Sequence, residues 1–468
     1  MNKYKKLTIN TIIVFLGTAG SKLISFIMLP FYTKYLSVGD YGTTDSINTY
    51  VSLLLGLVTM CMADAIFIFS NQDKDDDKKK YFSSGMITSF IGLLICSLVF
   101  AMCKFFFRNS DGVFIKYIWS IFFLMLSSYL QSYLQNFLKG LNKLVLFSLS
   151  GVFYTIFLAI FAICLIPYFG VMGYVYSIGL GNIISVLLIV FLSKSYKYIK
   201  LSAIKIDAIK DLLKYSIPLI PNSIMWWLLS ASNRPIMEKY VGLDGIGLYA
   251  IANKLPSLIV VVFSIFINSL IVSILEEYNK TGFEKFYNVI FLFIFSIQIL
   301  VSSILSVFGS AFIKIITSDE SYWSAWKFIP LLSLSVIFAN SASFLGCTFS
   351  VTKKTQYYFY SSIFGAGTSI ICNMLFINYF GVMGACISVL CSNLVLAISR
   401  LLYSYKYVKL KNLFYYFIII LLFSLLCFFV IKQDRLKYIV MTTLLLISII
   451  QSFKNLKGIK IKNEKAKN

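Results

Sequence analysis

Basic side chains inside long apolar stretches are the residues of this sequence with the most informative chemistry. Lys22, Arg234 and Lys254 each lie within such a stretch. A charge there costs roughly 2.5–3.5 kcal/mol of insertion free energy unless it faces water or a partner. Lys22 shares a helical face with Thr18 and Ser25, because these positions are spaced by four and three. The three cations therefore indicate a site for an anionic substrate.

Each of these charges also has a structural interpretation. Lys22 could be half of a buried ion pair with Asp45 or Asp64, which offsets the cost of burying either charge. Arg234 could be neutralised by Glu238, four residues further along the same helix. The residue types alone leave both interpretations open.

Uncharged and acidic polar groups extend the candidate site. Asp45 lies on a polar face with Thr49, although it could instead cap the start of its helix. Gln131 and Gln135 stand four apart and carry amide groups of the kind that bind sugar hydroxyls. The same amides are equally suited to hydrogen bonds between helices. We therefore include Asp45, Gln131 and Gln135 among the candidate substrate-binding residues.

Residues that interrupt helices recur in two of the apolar stretches. The first stretch contains Gly17, Gly20 and Pro30, and its counterpart later in the chain contains Pro218 and Pro221. Interrupted helices at matching places in two halves indicate the moving parts around a transport site. Glycine and proline are also common in membrane helices, which is the structural alternative. We assign these five residues to gating.

The residue types that are missing limit the chemistry. The sequence has no histidine, which removes histidine-based acid–base catalysis and histidine-ligated metals. Its nine cysteines include no Cys-x-x-Cys pair, so no zinc site is indicated. We expect no catalytic residues, no metal, no cofactor and no nucleic-acid partner, and hence no enzyme.

The composition predicts an all-α integral membrane protein. Hydrophobic residues make up 59% of the sequence and charged residues 13%, outside the range of soluble domains. Apolar runs of about 20 residues, each able to span the bilayer as a helix, recur along the whole chain. About 14 spans are predicted, at 8–31, 44–69, 82–107, 115–138, 144–166, 171–193, 215–238, 246–275, 286–310, 324–350, 357–377, 382–403, 413–431 and 436–453.

An internal duplication organises these spans. The hexapeptide Tyr168–Gly173 returns unchanged at Tyr379–Gly384, and a Ser-Tyr-Lys-Tyr motif follows each copy. Such a long period indicates two related halves rather than a short-repeat solenoid. The predicted domains are a six-helix bundle (1–200), a cytoplasmic linker (201–214), a second six-helix bundle (215–410), an accessory helix pair (411–453) and a basic tail (454–468).

Lysine-rich loops predict the orientation of the chain. Lysines cluster in alternate loops, including 74–80 and the linker, and cytoplasmic loops are the ones enriched in lysine and arginine. Both termini are therefore expected in the cytoplasm. Six spans per half return the chain to its starting side, so the two bundles are predicted to be parallel.

The sequence resembles the Wzx-type polysaccharide flippases of the multidrug/oligosaccharidyl-lipid/polysaccharide (MOP) exporter superfamily. The resemblance covers nearly the whole chain. It is carried by Gly17-Thr18-Ala19-Gly20-Ser21-Lys22-Leu23-Ile24-Ser25-Phe26, Leu29-Pro30, Leu36-Ser37-Val38-Gly39-Asp40-Tyr41-Gly42, the doubled Gly-Val-x-Gly pattern at Gly170 and Gly381, and the segment Lys239 to Asn253.

The resemblance implies 14 helices in two bundles plus an extra pair, and a V-shaped cavity that carries undecaprenyl-diphosphate-linked oligosaccharide to the outer face of the bacterial plasma membrane. The resemblance implies that cationic residues bind the diphosphate, and that Lys22, Arg234 and Lys254 are the equivalents of those residues in this chain. Membrane lipids, a coupling Na⁺ or H⁺, a polysaccharide polymerase and glycosyltransferases are further candidate partners. Capsule and exopolysaccharide are candidate pathways. The alternatives are a cation-coupled multidrug exporter of the same superfamily and a membrane enzyme of glycan assembly.

Overall fold

The computed structural model describes residues 20–465 except 73, 279 and 281, and every regular element in that part of the chain is a helix. The chain divides into two compact units, Met1–Trp227 and Leu228–Asn468. We number the helices α1 to α18 in chain order and describe each unit by itself.

Short helices alternate with long ones in the first unit. Ser37 and Asp40 form a reciprocal capping box that starts α3, because each side chain satisfies a backbone N–H of the first turn. The described elements are α1 (20–27), α2 (Leu29–Tyr35), α3 (Val38–Val58), α4 (Met62–Phe69), α5 (Asp75–Phe106), α6 (Val113–Lys116), α7 (Ile118–Gly140), α8 (Leu144–Ser193), α9 (Ile206–Ser216) and α10 (Ile220–Ala231), with 3₁₀ turns at Ser195–Tyr198, Leu201–Ala203 and Ile217–Leu219.

The second unit contains the last residues of α10 and the remaining helices. These are α11 (Asn233–Tyr240), α12 (Leu243–Glu277), α13 (Phe283–Val307), α14 (Gly309–Ile316), α15 (Ile329–Val351), α16 (Gln356–Ser404), α17 (Leu413–Ile431) and α18 (Leu436–Lys465). A 3₁₀ segment, Glu320–Phe328, precedes α15, so the tenth predicted span begins as 3₁₀ rather than α-helix.

Helix α8 is a hairpin of two antiparallel arms. Its backbone leaves helical geometry at Gly170, where φ is +50° and ψ is −122°, a conformation open essentially only to glycine. The arms then return alongside each other, since Lys143 Nζ donates a hydrogen bond to the carbonyl of Ser193 at 3.2 Å. Ser185 Oγ likewise donates to the Ser150 carbonyl at 2.9 Å.

The duplicated hexapeptide forms the same turn in α16. Gly381 has φ +56° and ψ −130°, close to the values at Gly170. A Cβ on Gly173 would overlap the Leu165 carbonyl oxygen, and one on Gly384 would overlap that of Phe376. The two hairpins therefore share their tip conformation and the close packing beside it.

Helices α3 and α4 together cover the second predicted span, 44–69, and show that it is bent. The helix begins at Val38 and breaks at residues 59–61, with a bend of 54° between its parts. Met60 and Cys61 have φ values of +53° and +51°. The alternative role of Asp45 as a helix cap is wrong, because Ser37 occupies that position.

The all-α membrane fold is confirmed. In the described residues, seven helical stretches are long and apolar enough to cross a membrane, or eight if the bent pair α3 and α4 counts as one span. Two of the seven, α8 and α16, are hairpins whose arms match four of the predicted spans. The total of about 14 spans stays a prediction.

Candidate functional site

A polar cavity in the first unit contains two of the residues predicted to bind substrate. Lys22 of α1 and Gln135 of α7 both line it, together with the first arm of α8. The cavity measures about 240 Å³. Its full lining is Ser21, Lys22, Ser25, Gln135, Phe147, Ser148, Gly151, Tyr154 and Thr155.

Small residues bring α1 close to α8 at this cavity. A Cβ on Gly151 would lie 3.3 Å from Ser21 Oγ, so glycine allows this approach with little room to spare. Ser25 Oγ donates to the carbonyl of Ser21 at 3.0 Å, as is usual for serine within a helix. Two members of the predicted polar face of the first span, Lys22 and Ser25, therefore line a cavity, and Thr18 lies outside the described residues.

A hydrogen bond between α7 and α8 fixes the part of the cavity wall that contains Gln135. Gln135 Nε2 donates to Ser150 Oγ at 3.0 Å, and Ser150 Oγ donates to the Phe147 carbonyl at 2.6 Å. Gln135 thus makes the interhelical hydrogen bond that its residue type allows, and it also lies on the cavity lining. Ser148 is a buried member of that lining, and its Oγ has no hydrogen-bond partner within the described residues.

The residue types of the cavity suit an anion that also carries hydroxyl groups. An ammonium supplies positive charge, and an amide supplies a donor and an acceptor. The hydroxyls of Ser148 and Tyr154 can donate and accept, whereas that of Thr155 donates to the Gly151 carbonyl at 2.6 Å and can only accept. No described group of three or more histidine, cysteine or acidic residues could hold a metal ion. The arrangement can bind and release a ligand, and no nucleophile and base are paired in it.

The α8 contribution to the cavity was not predicted from the sequence. Ser148, Gly151 and Thr155 are spaced by three and four, so they form one small, polar helical face. That period was visible in the sequence. Their packing against α1 depends on tertiary contacts, so the spacing did not predict it.

The remaining candidates of the first unit lie elsewhere on its helices. Asp45 and Gln131 are both partly buried, within α3 and α7, and neither lines the cavity. Asp64 of α4 interacts electrostatically with Lys139 at the end of α7, as expected for a carboxylate near a helix end that meets a lysine. Asp45 remains a candidate on the basis of its type and depth.

Arg234 is buried in the second unit, near the start of α11. Its Nη1 donates to the Ser230 carbonyl at 2.7 Å and to Asn233 Oδ1 at 2.9 Å. The guanidinium also lies 4.8 Å from the ring centre of Tyr249. These contacts fix the side chain, and favourable stacking on the aromatic face offsets part of the cost of burial.

Lys254 lies on α12, on the same helix as Tyr249. It is partly buried, and its carbonyl accepts a hydrogen bond from Ser257 Oγ at 2.7 Å.

A further cation, Arg400 of α16, was not predicted as a residue of interest. It is almost fully buried and donates to Ser361 Oγ and the Ala342 carbonyl. The sequence feature that could have identified Arg400 is that it is a single arginine within the twelfth predicted span. Its contacts join α15 to both arms of α16.

Most predicted gating residues lie at helix irregularities. Pro30 follows directly on a break at Met28, between α1 and α2, and Pro218 lies in the 3₁₀ turn before α10. Pro221 is the second residue of α10, where its missing N–H costs nothing. A Cβ on Gly20 would meet no atom within 4 Å, and Gly17 lies outside the described residues.

Comparison with known sequences identifies the family. Residues 7–272, more than half of the chain, match the family described as "Polysaccharide biosynthesis protein". No curated protein sequence matches the chain.

Solved structures match at low sequence identity. A MOP superfamily transporter from Pyrococcus furiosus, described as having a binding pocket of reverse polarity, is 16% identical with a TM-score of 0.58 over 85% of this chain and 94% of that one. A mutant of a Vibrio cholerae MATE transporter is 14% identical with a TM-score of 0.60, over 88% and 98%. An inward-facing multidrug resistance MATE transporter is 15% identical with a TM-score of 0.60, over 82% of this chain and 97% of that one.

These solved proteins are described as transporters. At these identities the likeness establishes the fold, and the sequence match establishes the family. The chain therefore belongs to the polysaccharide biosynthesis protein family, and it shares the fold of these MOP superfamily transporters.

Proposed function

We propose that this protein is a flippase that moves undecaprenyl-diphosphate-linked oligosaccharide repeat units from the cytoplasmic to the outer face of a bacterial plasma membrane. The observation that carries the proposal is the position of Lys22 in a cavity whose lining also includes five hydroxyl side chains and one amide, beside Phe147 and Gly151. A polyprenyl-linked glycan presents both an anionic diphosphate and sugar hydroxyls. The family description, polysaccharide biosynthesis, supports the same substrate class.

The diphosphate and the sugar of such a substrate can each interact with side chains of this protein. The ammonium of Lys22 attracts the diphosphate, and the effect is strengthened where water is partly excluded. Gln135 and the hydroxyl of Ser148 can donate hydrogen bonds to a sugar and accept them from it, and the hydroxyl of Thr155 can accept one. Arg234 and Lys254 provide positive charge in the second unit. Translocation breaks no covalent bond, so this set of residues needs no catalytic member.

A cation-coupled multidrug exporter is the second candidate, because the similar solved structures include MATE transporters. Such an exporter binds organic cations, which a carboxylate or an aromatic surface attracts and an ammonium repels. The described cavity contains a lysine and no carboxylate. Its charge therefore favours an anionic substrate.

A reconstitution assay can test the proposal. The purified protein is placed in liposomes with undecaprenyl-diphosphate-linked oligosaccharide in both leaflets, and a membrane-impermeant periodate reagent oxidises the sugar diols it can reach. A flippase exposes nearly all of the glycan, whereas protein-free liposomes expose only the outer leaflet. Oxidation that stays at the protein-free level, together with uptake of a fluorescent organic cation, would favour the exporter instead.

A further inference from the structure

Two copies of one seven-residue segment differ in burial at two positions. The first reads Ser-Tyr-Lys-Tyr-Ile-Lys-Leu from Ser195, and the second reads Ser-Tyr-Lys-Tyr-Val-Lys-Leu from Ser404. The serine, tyrosine and lysine positions have the same burial class in both copies. The aliphatic positions do not: Ile199 and Leu201 are 49% and 79% exposed, whereas Val408 and Leu410 are 4% and 6% exposed.

In the duplicated hexapeptide, by contrast, the same residues have similar exposed fractions in both copies. Tyr168 and Tyr379 at the two hairpin tips are 83% and 77% exposed. Phe169 and Phe380 are both 58% exposed. The difference at the seven-residue segments is therefore local, and it reflects what covers each copy.

The second copy is covered by its own unit. Asn288 of α13 donates to the carbonyl of Lys409 at 3.0 Å and accepts from the backbone N–H of Lys411 at 2.7 Å. Glu284 of the same helix lies 3.8 Å from the Lys411 ammonium. A polar and acidic helix end thus holds this segment in place.

The first copy is held in place too, although its aliphatic side chains point outward. Ser83 Oγ donates to the Tyr198 carbonyl at 2.9 Å and accepts from the Lys200 N–H at 2.9 Å. Lys205 N–H donates to Ser84 Oγ at 3.2 Å. The exposure of Ile199 and Leu201 therefore belongs to an anchored segment.

Exposed lysines alternate with these aliphatic residues. We call the set the basic linker patch, and it comprises Lys194, Lys197, Ile199, Lys200, Leu201, Lys205 and Ile206, all of which are exposed. The segment begins directly after the apolar helix α8 and ends at the start of α9, so it adjoins the end of a predicted membrane span. The two terminal segments of the chain are themselves lysine-rich, so like charge disfavours either as a cover for the patch.

We propose that the basic linker patch docks on the anionic surface of the bilayer, with its lysines at phospholipid phosphates and its aliphatic side chains in the boundary below. Basic residues interleaved with aliphatic ones are the composition that binds an anionic membrane interface. Lysine stems also lie along apolar surface while their ammonium groups reach the headgroups. The second copy, in which Val408 and Leu410 are buried, lacks the exposed aliphatic residues that this docking requires.

The duplication supplies a matched control for the test. The full-length protein is purified in uncharged detergent, and its thermal unfolding temperature is followed during titration with phosphatidylglycerol, phosphatidylcholine or inorganic phosphate. We expect phosphatidylglycerol alone to raise the unfolding temperature. Lys197→Gln with Lys200→Gln should raise the half-saturating phosphatidylglycerol concentration about tenfold. Lys406→Gln with Lys409→Gln, the same positions in the second copy, should change it less than twofold.

A second variant separates a bilayer surface from a simple anion site. Ile199→Ser with Leu201→Ser keeps every lysine and should still weaken the phosphatidylglycerol effect. An equal response to phosphatidylcholine, an equal loss in both lysine pairs, or a full effect of inorganic phosphate would each overturn the proposal. So would a wild-type dimer in light scattering that the patch variants convert to monomers, because a second copy would then be the cover.

Discussion

Gln135 and Ser150 are joined by a hydrogen bond of 3.0 Å that connects α7 to the first arm of α8 beside the polar cavity. Gln135 thus has two roles available, since it fixes a helix pair and also lines the cavity. Ser150 has only the first role, because it is buried and is not part of the lining. The two residues can therefore be used to separate packing from substrate contact.

Gln135→Ala and Ser150→Ala should have similar effects on stability and different effects on transport. Either change removes the shared hydrogen bond, worth about 1 kcal/mol of unfolding free energy. Only Gln135→Ala removes the amide from the cavity, so it should reduce glycan flipping at least severalfold further. Thermal unfolding and the periodate assay measure the two quantities. Equal transport losses in both variants would show that Gln135 acts through packing alone.

The hairpin tips are the part of the fold that the sequence predicted best. The repeated hexapeptide ends two predicted spans at the places where Gly170 and Gly381 turn the chain, because a positive φ there requires glycine. The break at residues 59–61 was not predictable in this way. Met60 and Cys61 take left-handed conformations without glycine or proline. Contacts with α10 lie on α3 just before the break: Ser223 Oγ lies 2.9 Å from a Cβ built on Gly56, and Trp227 Nε1 donates to the Thr49 carbonyl.

The candidate site was predictable in part for the same reason. The depth and spacing of Lys22 identify it as a residue of interest, whatever it contacts. The choice of α8 as its neighbour depends on a small residue, Gly151, that permits contact with Ser21. Single-helix periodicity predicts which residues share a face, and it does not predict which helix that face meets.

Close packing beside the hairpin tips predicts that alanine is poorly tolerated there. Gly173→Ala and Gly384→Ala each place a Cβ against a backbone carbonyl oxygen, so each should cost roughly 1–3 kcal/mol of unfolding free energy. Gly367→Ala in the first arm of α16 is the control. Nothing lies within 4 Å of its Cβ position, so helix propensity should make the change neutral or slightly stabilising. Thermal unfolding of the three variants measures these changes. Equal losses of stability in all three would contradict this packing.

The capping box of α3 gives a prediction that distinguishes it from Asp45. Ser37→Ala removes the side-chain acceptor of the first turn and should cost about 1 kcal/mol of unfolding free energy. Asp45 lies well inside α3, so Asp45→Asn should leave helix initiation unchanged. Chemical denaturation in detergent measures both. Unchanged stability in Ser37→Ala would contradict the capping role of Ser37.

The predicted orientation is tested by cysteine labelling. Cysteines introduced at Asp76, Ser202 and Lys460 should react with an impermeant thiol reagent only after the cell membrane is opened, because these positions fall in lysine-rich segments. A cysteine at Asp319, in the exposed loop after α14, should react in intact cells. The unmodified protein with its native cysteines provides the background. Labelling of Ser202→Cys in intact cells would contradict the parallel arrangement of the two halves.

The most direct test of the proposed function is the effect of Lys22→Ala on glycan flipping and on the amount of folded protein. If Lys22 binds the diphosphate, Lys22→Ala should abolish flipping at a normal protein level, and Lys22→Arg should retain part of it because the charge survives. If Lys22 instead neutralises a buried acid, the protein level should fall, because a carboxylate is left without its partner. The measurement is made for Lys22→Ala alone and combined with Asp45→Ala or Asp64→Ala. We predict normal protein and absent flipping in all three; recovery of flipping by removal of either acid would contradict the proposed role of Lys22.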